Sequence, residues 1–344
     1  MTWGIYGATG YTGRLIAAEA VRRGHRPVLL GRSEATLRPL ALEHNLTFAV
    51  ATSLGEALAD LDAVVNAAGP FDQTMPPLIE ACLGTHTSYL DISNELATVQ
   101  FVLDQDARFA AAGISAVPAV GFGTVASETA AGRAVAAVRS AETVEVALLA
   151  DNSGGGVGTA ASTYAVLAEG GARISAGGLV RERLGSGIRS VRLPVGRRSL
   201  VAVALGDLAA VRATTGVSNV TASVAFGVPA FLLSLALRPV AEFVRSGRMK
   251  PSARKAAKPH EFRSYTWARA TGADGRTATA WLTTGEGYAF TASSTVNAVE
   301  AVIAGITPGA HSSGQAFGAD FALRVPGTRV ELIGEGANGA ASQP

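Results

Sequence analysis

Near the N-terminus the sequence reads Trp3-Gly-Ile-Tyr-Gly7-Ala-Thr-Gly10-Tyr-Thr-Gly13-Arg14, in which a short apolar run enters glycines spaced G-x-x-G-x-x-G. This spacing lets a strand turn sharply, brings the backbone close to a diphosphate, and opens a helix whose first amides face the anion. The next residues follow a helical pattern that ends at Gly24. The stretch therefore predicts a nucleotide-binding turn; a purely structural strand–helix turn is the alternative.

The alternation of strand and helix continues to about residue 122. Strands are predicted at residues 3–6, 27–30, 46–50, 63–66, 88–92 and 114–117. Helical patterns lie between these runs, which is typical of a parallel sheet with helices on both faces. The sequence thus predicts an α/β protein with an N-terminal Rossmann domain, a doubly wound parallel sheet that binds ligands at the carboxyl ends of its strands.

The pattern changes beyond residue 122, where shorter β-type runs predict a second, mixed-sheet α+β domain. Three regions are therefore expected. Residues 1–122 form the dinucleotide-binding Rossmann domain, residues 123–289 a substrate-binding and dimerisation domain, and residues 290–344 a helical segment that packs back on the first domain.

Composition excludes several classes of protein. The formal net charge of +2 is too small to indicate nucleic-acid binding. The lone Cys82 excludes an internal disulfide, and no histidine, cysteine or acidic residues have the spacing of metal ligands. No tyrosine is followed four residues later by a lysine, which excludes the Tyr-x-x-x-Lys mechanism of short-chain dehydrogenases. No cationic and apolar leader precedes the first strand, so we expect a cytoplasmic protein.

The end of the second predicted strand indicates which nucleotide binds. In NAD-binding domains an acidic residue usually holds the ribose 2′-hydroxyl at this point. Here the strand at 27–30 ends in Gly31-Arg32-Ser33, without a carboxylate. A guanidinium and a hydroxyl suit a 2′-phosphate, so the sequence predicts NADP rather than NAD. A solvated Arg32 at the start of a helix is the alternative.

Small residues after the fourth predicted strand extend this site. The stretch Asn66-Ala-Ala-Gly-Pro-Phe71 lets a dinucleotide lie close to the backbone, and Pro70 and Phe71 are predicted to flank the nicotinamide. A tight turn before the next helix is the alternative. The predicted cofactor-binding residues are Gly7, Thr9, Gly10, Tyr11, Thr12, Gly13, Arg32, Ser33, Ala67, Ala68, Gly69, Pro70 and Phe71.

Taken together, these motifs resemble those of the saccharopine dehydrogenase-like oxidoreductases, which include saccharopine reductases and the trans-acting enoyl reductases of lipid biosynthesis. The resemblance is carried by the glycine-rich stretch 7–14, Gly31-Arg32, Ala68–Phe71, Ala81-Cys82, Tyr89-Leu-Asp91 with Glu95, and Gly121-Phe122, with weaker matches as far as Gly287-Tyr288 and 314–318. It implies an NAD(P)-dependent oxidoreductase with a Rossmann domain, a mixed-sheet second domain and often a homodimer.

The chain departs from the family pattern beside the expected nicotinamide. Family members commonly carry a histidine where this chain has Ser88, and glycines where it has His86 and Asn94. The family's Gly-Phe-Asp-Ser-x-Pro stretch reads Gly121-Phe-Gly-Thr-Val-Ala126. We therefore expect a substrate different from those of the best-known members.

Hydride transfer needs alignment and a polar group where charge develops. The candidate catalytic residues, as proton donors or orienting groups, are Tyr89, Ser93, Asn94 and Tyr164, with Glu95 as a further polar group. Asp91, inside a predicted strand, is interpreted as structural. The glycine-rich segment at 151–158 either receives a substrate carbonyl or carboxylate on the amides of the helix that it opens, or is a flexible strand–helix corner.

These features predict an NADPH-dependent reductase that transfers hydride to a C=C, C=N or C=O bond of a small or acyl-carrier-bound metabolite. A non-catalytic NADP(H)-sensing protein is the alternative. The apolar stretch 226–244 predicts a core or dimer-interface helix, and the basic run at 245–258 a solvated surface. Together they could instead rest on an anionic bilayer or an acidic carrier protein.

Overall fold

The computed structural model describes residues 2–149, 169–235 and 263–333, which contain sixteen strands in two sheets. The first sheet consists of β1 (Trp3–Tyr6), β2 (Val28–Gly31), β3 (Phe48–Val50), β4 (Ala63–Asn66), β5 (Ser88–Asp91), β6 (Ser115–Val117) and β15 (Gly309–Ala310). The second consists of β7 (Ala141–Leu149), β8 (Gly171–Ser175), β9 (Gly178–Glu182), β10 (Arg189–Leu193), β11 (Gly196–Ala202), β12 (Asn219–Phe226), β13 (Ser264–Gly272), β14 (Thr277–Thr284) and β16 (Arg329–Leu332).

Helices connect and cover these strands. They are α1 (Tyr11–Arg22), α2 (Glu34–His44), α3 (Leu54–Leu58), α4 (Phe71–Thr85), α5 (Leu96–Leu103), α6 (Asp106–Ala112), α7 (Phe122–Ala136), α8 (Asp207–Thr215), α9 (Gly287–Ala304) and α10 (Ser313–Phe317). A 3₁₀ turn at Phe321–Arg324 precedes β16. Among the described residues no helix has the length and apolar character needed to span a membrane.

The first sheet is parallel throughout, in the order β3-β2-β1-β4-β5-β6-β15. The strand order reverses between β1 and β4, and a Rossmann sheet binds its ligand in the crevice at this reversal. Tyr6 at the end of β1 pairs with Asn66 at the end of β4, so the segments after both strands start side by side. The predicted fold class, a Rossmann sheet joined to a mixed sheet, is confirmed.

The second sheet is mixed. Its central pair, β7 and β12, is parallel, and its other pairs are antiparallel. Alternate residues of β7, such as Val144 and Val146, are buried beneath α7 because successive side chains of a strand point to opposite faces. The opposite face carries a second cluster around Trp267 and Trp281.

The chain after β14 returns to the first domain and then leaves it again. Helix α9 packs on α1, where Arg23 donates to Asn297 (Nη2 to Oδ1, 2.6 Å) and His25 contacts Glu300 (Nε2 to Oε1, 2.7 Å). Strand β15 then extends the Rossmann sheet, whereas β16 pairs with the free edge of β14 in the second sheet. Residues after 290 are thus divided between the two sheets instead of all packing on the first domain.

A buried glutamate fastens the helices beneath the second sheet. Glu128 of α7 accepts hydrogen bonds from the hydroxyls of Thr214 and Ser313 and from the Gly314 amide, the last at 3.0 Å. Burial raises the pKa of this carboxyl, while the three donors act in the opposite direction. The contact ties α7 to α8 and to α10.

Candidate functional site

The glycine turn after β1 has a geometry that a larger residue cannot adopt. Gly7 has φ of +86°, and a Cβ there would lie 2.7 Å from the Ala68 nitrogen. A Cβ on Gly13 would lie 2.4 Å from the Gly7 carbonyl oxygen. Gly10 precedes α1 and has no side chain to cap it, so the first amides of the helix lack a side-chain cap and are suited to bind an anion.

The segment after β4 is held against this turn by a small polar network. Buried Asn66 accepts a hydrogen bond from the Ala68 amide at Oδ1 (3.0 Å), and its Nδ2 donates to Thr74 Oγ1 (3.2 Å). The Thr74 hydroxyl in turn donates to the Ala68 carbonyl oxygen at 2.6 Å. Neither residue was among the predicted site residues, although an asparagine that ends the apolar run Ala63-Val-Val is a visible signal.

We expect Thr74→Val to lower the free energy of unfolding by about 1–2 kcal/mol, because a valine keeps the shape but loses both hydrogen bonds. It should also weaken NADPH binding several-fold, since the Ala67–Gly69 backbone loses its support. Urea unfolding and titration calorimetry measure the two effects.

The matched control is Thr85→Val at the other end of α4, where the hydroxyl donates to the Ala81 carbonyl oxygen at 2.9 Å. This variant should lose stability but keep its affinity for NADPH. If both variants bind NADPH like the wild type, the role of Thr74 in shaping the site is wrong.

Arg32 stands free at the end of β2. Its side chain is exposed and has no hydrogen-bond or ion-pair partner among the described residues. The neighbouring carboxylate, Glu34, pairs instead with Arg38. Ser33 begins α2 without using its hydroxyl as a cap. A guanidinium and a hydroxyl are therefore both available to an adenosine phosphate at this edge of the sheet.

Pro70 and Phe71, the predicted neighbours of the nicotinamide, have different environments. Pro70 is exposed just before α4, whereas Phe71 begins α4 and is only 7% exposed. Pro70 therefore presents the larger surface to a ligand in this structure.

Tyr89 and Ser93 both donate their hydroxyl protons to Asp91. The Tyr89 hydroxyl lies 2.9 Å from Asp91 Oδ2 and the Ser93 hydroxyl 2.7 Å from Oδ1, which also accepts the Ala119 amide at 2.8 Å. All three side chains are buried. Burial raises the pKa of Asp91 against these donors, and it raises the pKa of Tyr89 well above its ordinary value. The network joins the end of β5 to the chain after β6, and both hydroxyl protons are donated within it.

Asn94 is the one partly exposed side chain among the predicted catalytic residues that the structure describes. Its Oδ1 lies 3.5 Å from the Thr124 hydroxyl at the start of α7, and its carbonyl oxygen accepts the Gly206 amide at 2.8 Å. It thus sits where both domains meet the end of β5. Tyr164 and the segment 151–158 lie outside the described residues, as do residues 236–258 of the apolar and basic region.

Next to Gly206 lies a carboxyl group in an unusual environment. Asp207 is fully buried, and neither of its oxygens has a hydrogen-bond partner within the described ranges. Burial raises its pKa to about 6, while the nearby Ser127 hydroxyl acts in the opposite direction. No pattern in the sequence marked this residue, because its burial depends on how α8 packs against α5 and α7.

Sequence comparison agrees with this geometry. Residues 3–117 match the family model described as the saccharopine dehydrogenase NADP binding domain. The trans-acting enoyl reductase of Mycobacterium leprae is 34% identical over 137 residues, which cover 36% of this chain and 33% of that protein. That of Mycobacterium tuberculosis H37Rv is 31% identical over 137 residues with the same coverage. The chain thus spans about a third of the length of the curated relatives it matches.

Solved structures share the fold over nearly the whole chain. Apo saccharopine dehydrogenase (L-Glu forming) from Saccharomyces cerevisiae has a TM-score of 0.62 at 12% identity, covering 97% of this chain and all of that one. Homospermidine synthase from Legionella pneumophila, solved in complex with NAD, has a TM-score of 0.66 at 10% identity, covering 100% of this chain and 94% of that one. At such identities the likeness concerns the fold alone.

The predicted family resemblance and the predicted cofactor, NADP, are both confirmed by the match over the first domain. Its glycine turn packs closely against the segment after β4, and its second strand is followed by Arg32, which has no partner among the described residues. Residues 3–117 of this chain are thus similar to the saccharopine dehydrogenase NADP binding domain.

Proposed function

We propose that the protein is an NADPH-dependent reductase that transfers a hydride to a C=C, C=N or C=O bond of a small or carrier-bound metabolite. The observation that carries the proposal is that two anion-binding groups lie at the carboxyl edge of one parallel sheet: the α1 N-terminus without a side-chain cap, and Arg32 without a partner in the described part of the chain. The helix N-terminus suits the diphosphate of NADPH, and the Arg32 guanidinium suits its 2′-phosphate.

Each part of the site has a distinct task under this proposal. Bound NADPH supplies the hydride. The amides after Gly10 hold the diphosphate, Arg32 holds the adenosine phosphate, and the backbone of Ala67–Gly69 lets the dinucleotide lie close to the sheet. Asn94 orients the polar end of the substrate. Because Tyr89 and Ser93 already donate to Asp91, we propose that water supplies the proton.

Among the three bonds, C=C is the first to test, because the curated relatives are named trans-acting enoyl reductases. That name also supports a substrate carried by another protein. A homodimer, a cytoplasmic location and contact with a membrane surface stay predictions, and so do the domain boundaries and the individual site residues.

The test has two stages. Titration calorimetry with NADPH and NADH should give binding of both, with NADPH preferred. NADPH labelled with deuterium at C4 is then offered with enoyl thioesters, imines and carbonyl compounds, and the label should appear in the reduced product. Absence of NADPH binding would overturn the proposal outright. Tight binding without label transfer to any class of acceptor would favour the sensing protein over the reductase.

A further inference from the structure

Two tyrosines from opposite ends of the chain meet beside the glycine turn. Tyr11 is the first residue of α1, and Tyr288 lies in the first turn of α9. Their rings pack edge to face, with centroids 4.9 Å apart and planes at 86°. Aromatic pairs of this geometry contribute about 0.5–1.5 kcal/mol beyond the area that they bury.

The Tyr11 side chain is held at the surface and not in the core. It is 46% exposed, and its hydroxyl has no hydrogen-bond partner in the part of the chain that is described. It follows Gly10 directly, so its ring stands at the rim of the diphosphate turn. Its ring contact is with Tyr288 of α9.

The start of α9, which carries Tyr288, is held by hydrogen bonds. Glu286 caps α9 by accepting the Ala289 amide at 2.8 Å. One turn on, the Thr291 hydroxyl accepts the Phe122 amide at the start of α7 at 3.1 Å. Burial and the Glu286 carboxylate together raise the pKa of Tyr11, so its phenol stays protonated. A protonated phenol donates a hydrogen bond, which a phosphate oxygen accepts.

From this arrangement we infer that Tyr288 is a positioning residue for the cofactor. Its ring holds the Tyr11 phenol over the diphosphate turn, and the connection between β14 and α9 thereby becomes part of the NADPH site. This inference rests on the proposed function. It adds Tyr288, which follows strand β14 of the second sheet, to a site otherwise built from the first domain.

The experiment compares Tyr288→Leu with Tyr288→Phe. The leucine removes the ring, and the dissociation constant for NADPH should rise about 5- to 10-fold, the scale of one aromatic contact. The phenylalanine keeps the edge-to-face contact and should bind within twofold of the wild type. Calorimetry gives the affinities, and thermal melts without cofactor show that each variant is folded.

The matched control is Tyr265→Leu. Tyr265 stacks on Trp281 with centroids 5.1 Å apart, on the face of the second sheet turned away from α7. This variant loses an equivalent aromatic pair but should keep its NADPH affinity. Equal losses for Tyr265→Leu and Tyr288→Leu would overturn the inference, because they would show a general effect on stability.

A double-mutant cycle separates this inference from the proposed function. If Tyr288 acts through Tyr11, Tyr11→Leu and the double variant should bind NADPH equally weakly. Additive losses would contradict that route. If the wild type binds NADPH and Tyr288→Leu binds it with unchanged affinity, only the inference about Tyr288 is wrong. If the wild type does not bind NADPH, the proposed function is wrong as well.

Discussion

Arg32→Asp should weaken NADPH binding about 10- to 150-fold, which corresponds to about 1.5–3 kcal/mol for a lost charge-assisted hydrogen bond. The guanidinium has no partner among the described residues, so no ion pair within them has to break when the phosphate binds. An aspartate would instead repel the 2′-phosphate and accept the 2′-hydroxyl of NADH. The ratio of NADPH to NADH affinity should therefore fall by more than the NADPH affinity alone.

Calorimetry with both dinucleotides, at low and high salt, measures this change. The control is Arg139→Asp, an exposed arginine after α7 whose replacement changes the net charge equally. It should leave both affinities nearly unchanged. If Arg139→Asp reproduces the loss, the effect comes from overall charge and the role of Arg32 is wrong.

The free energy of unfolding of Asp207→Asn, measured relative to the wild type, should increase as the pH rises from 4 to 8. The folded pKa of Asp207 is raised to about 6 from an ordinary value of 3.8. A raised carboxyl pKa means that the folded state holds its proton more tightly. The wild type therefore loses stability as the pH rises from about 4 through 6, by up to about 3 kcal/mol. A neutral asparagine has no such loss.

Urea unfolding at pH 4 to 8 gives this comparison. Asp72→Asn, an exposed acidic residue in the first turn of α4, is the matched control and should show no comparable growth of the difference with pH. The slope with pH is the decisive quantity, because an unpaired buried amide has its own cost, which does not vary with pH. A difference that stays constant from pH 4 to 8 would mean that folding does not raise the pKa of Asp207.

Much of the first domain could be predicted from local patterns. Predicted strands at 3–6, 63–66 and 88–92 correspond to β1, β4 and β5, because each is an apolar run bounded by turn residues. Strand β15 was not predicted, since Gly309-Ala310 is too short to show any periodicity. It forms because α9 brings the chain back to the open edge of β6.

The same contrast holds for the site. The glycine turn and the role of Arg32 could be predicted from the sequence, because each depends on neighbouring residues. The turn needs glycines where the backbone approaches closely, and the phosphate contact needs a charge at the end of a strand. Tyr89 was placed among the proton donors from its position near a strand end. Its engagement with Asp91 was also readable in principle, since residues two apart on a strand point to the same face. His86 follows α4 at φ of +58°. Its Nδ1 lies 3.0 Å from the carbonyl oxygen of Ala112, a contact between distant segments that depends on tertiary packing.

By itself, then, the sequence determined the Rossmann fold, the nucleotide turn and the preference for a 2′-phosphate, because each depends on short-range backbone geometry or on one local charge. Tertiary structure alone decided that Tyr288 meets Tyr11, that Asp207 is buried with no hydrogen-bond partner among the described residues, and that the Tyr89 side chain is fully buried. Such facts depend on how distant segments pack. A pattern of neighbouring residues shows which side chains are apolar or charged. It does not show which distant side chains come into contact when helices and sheets pack together.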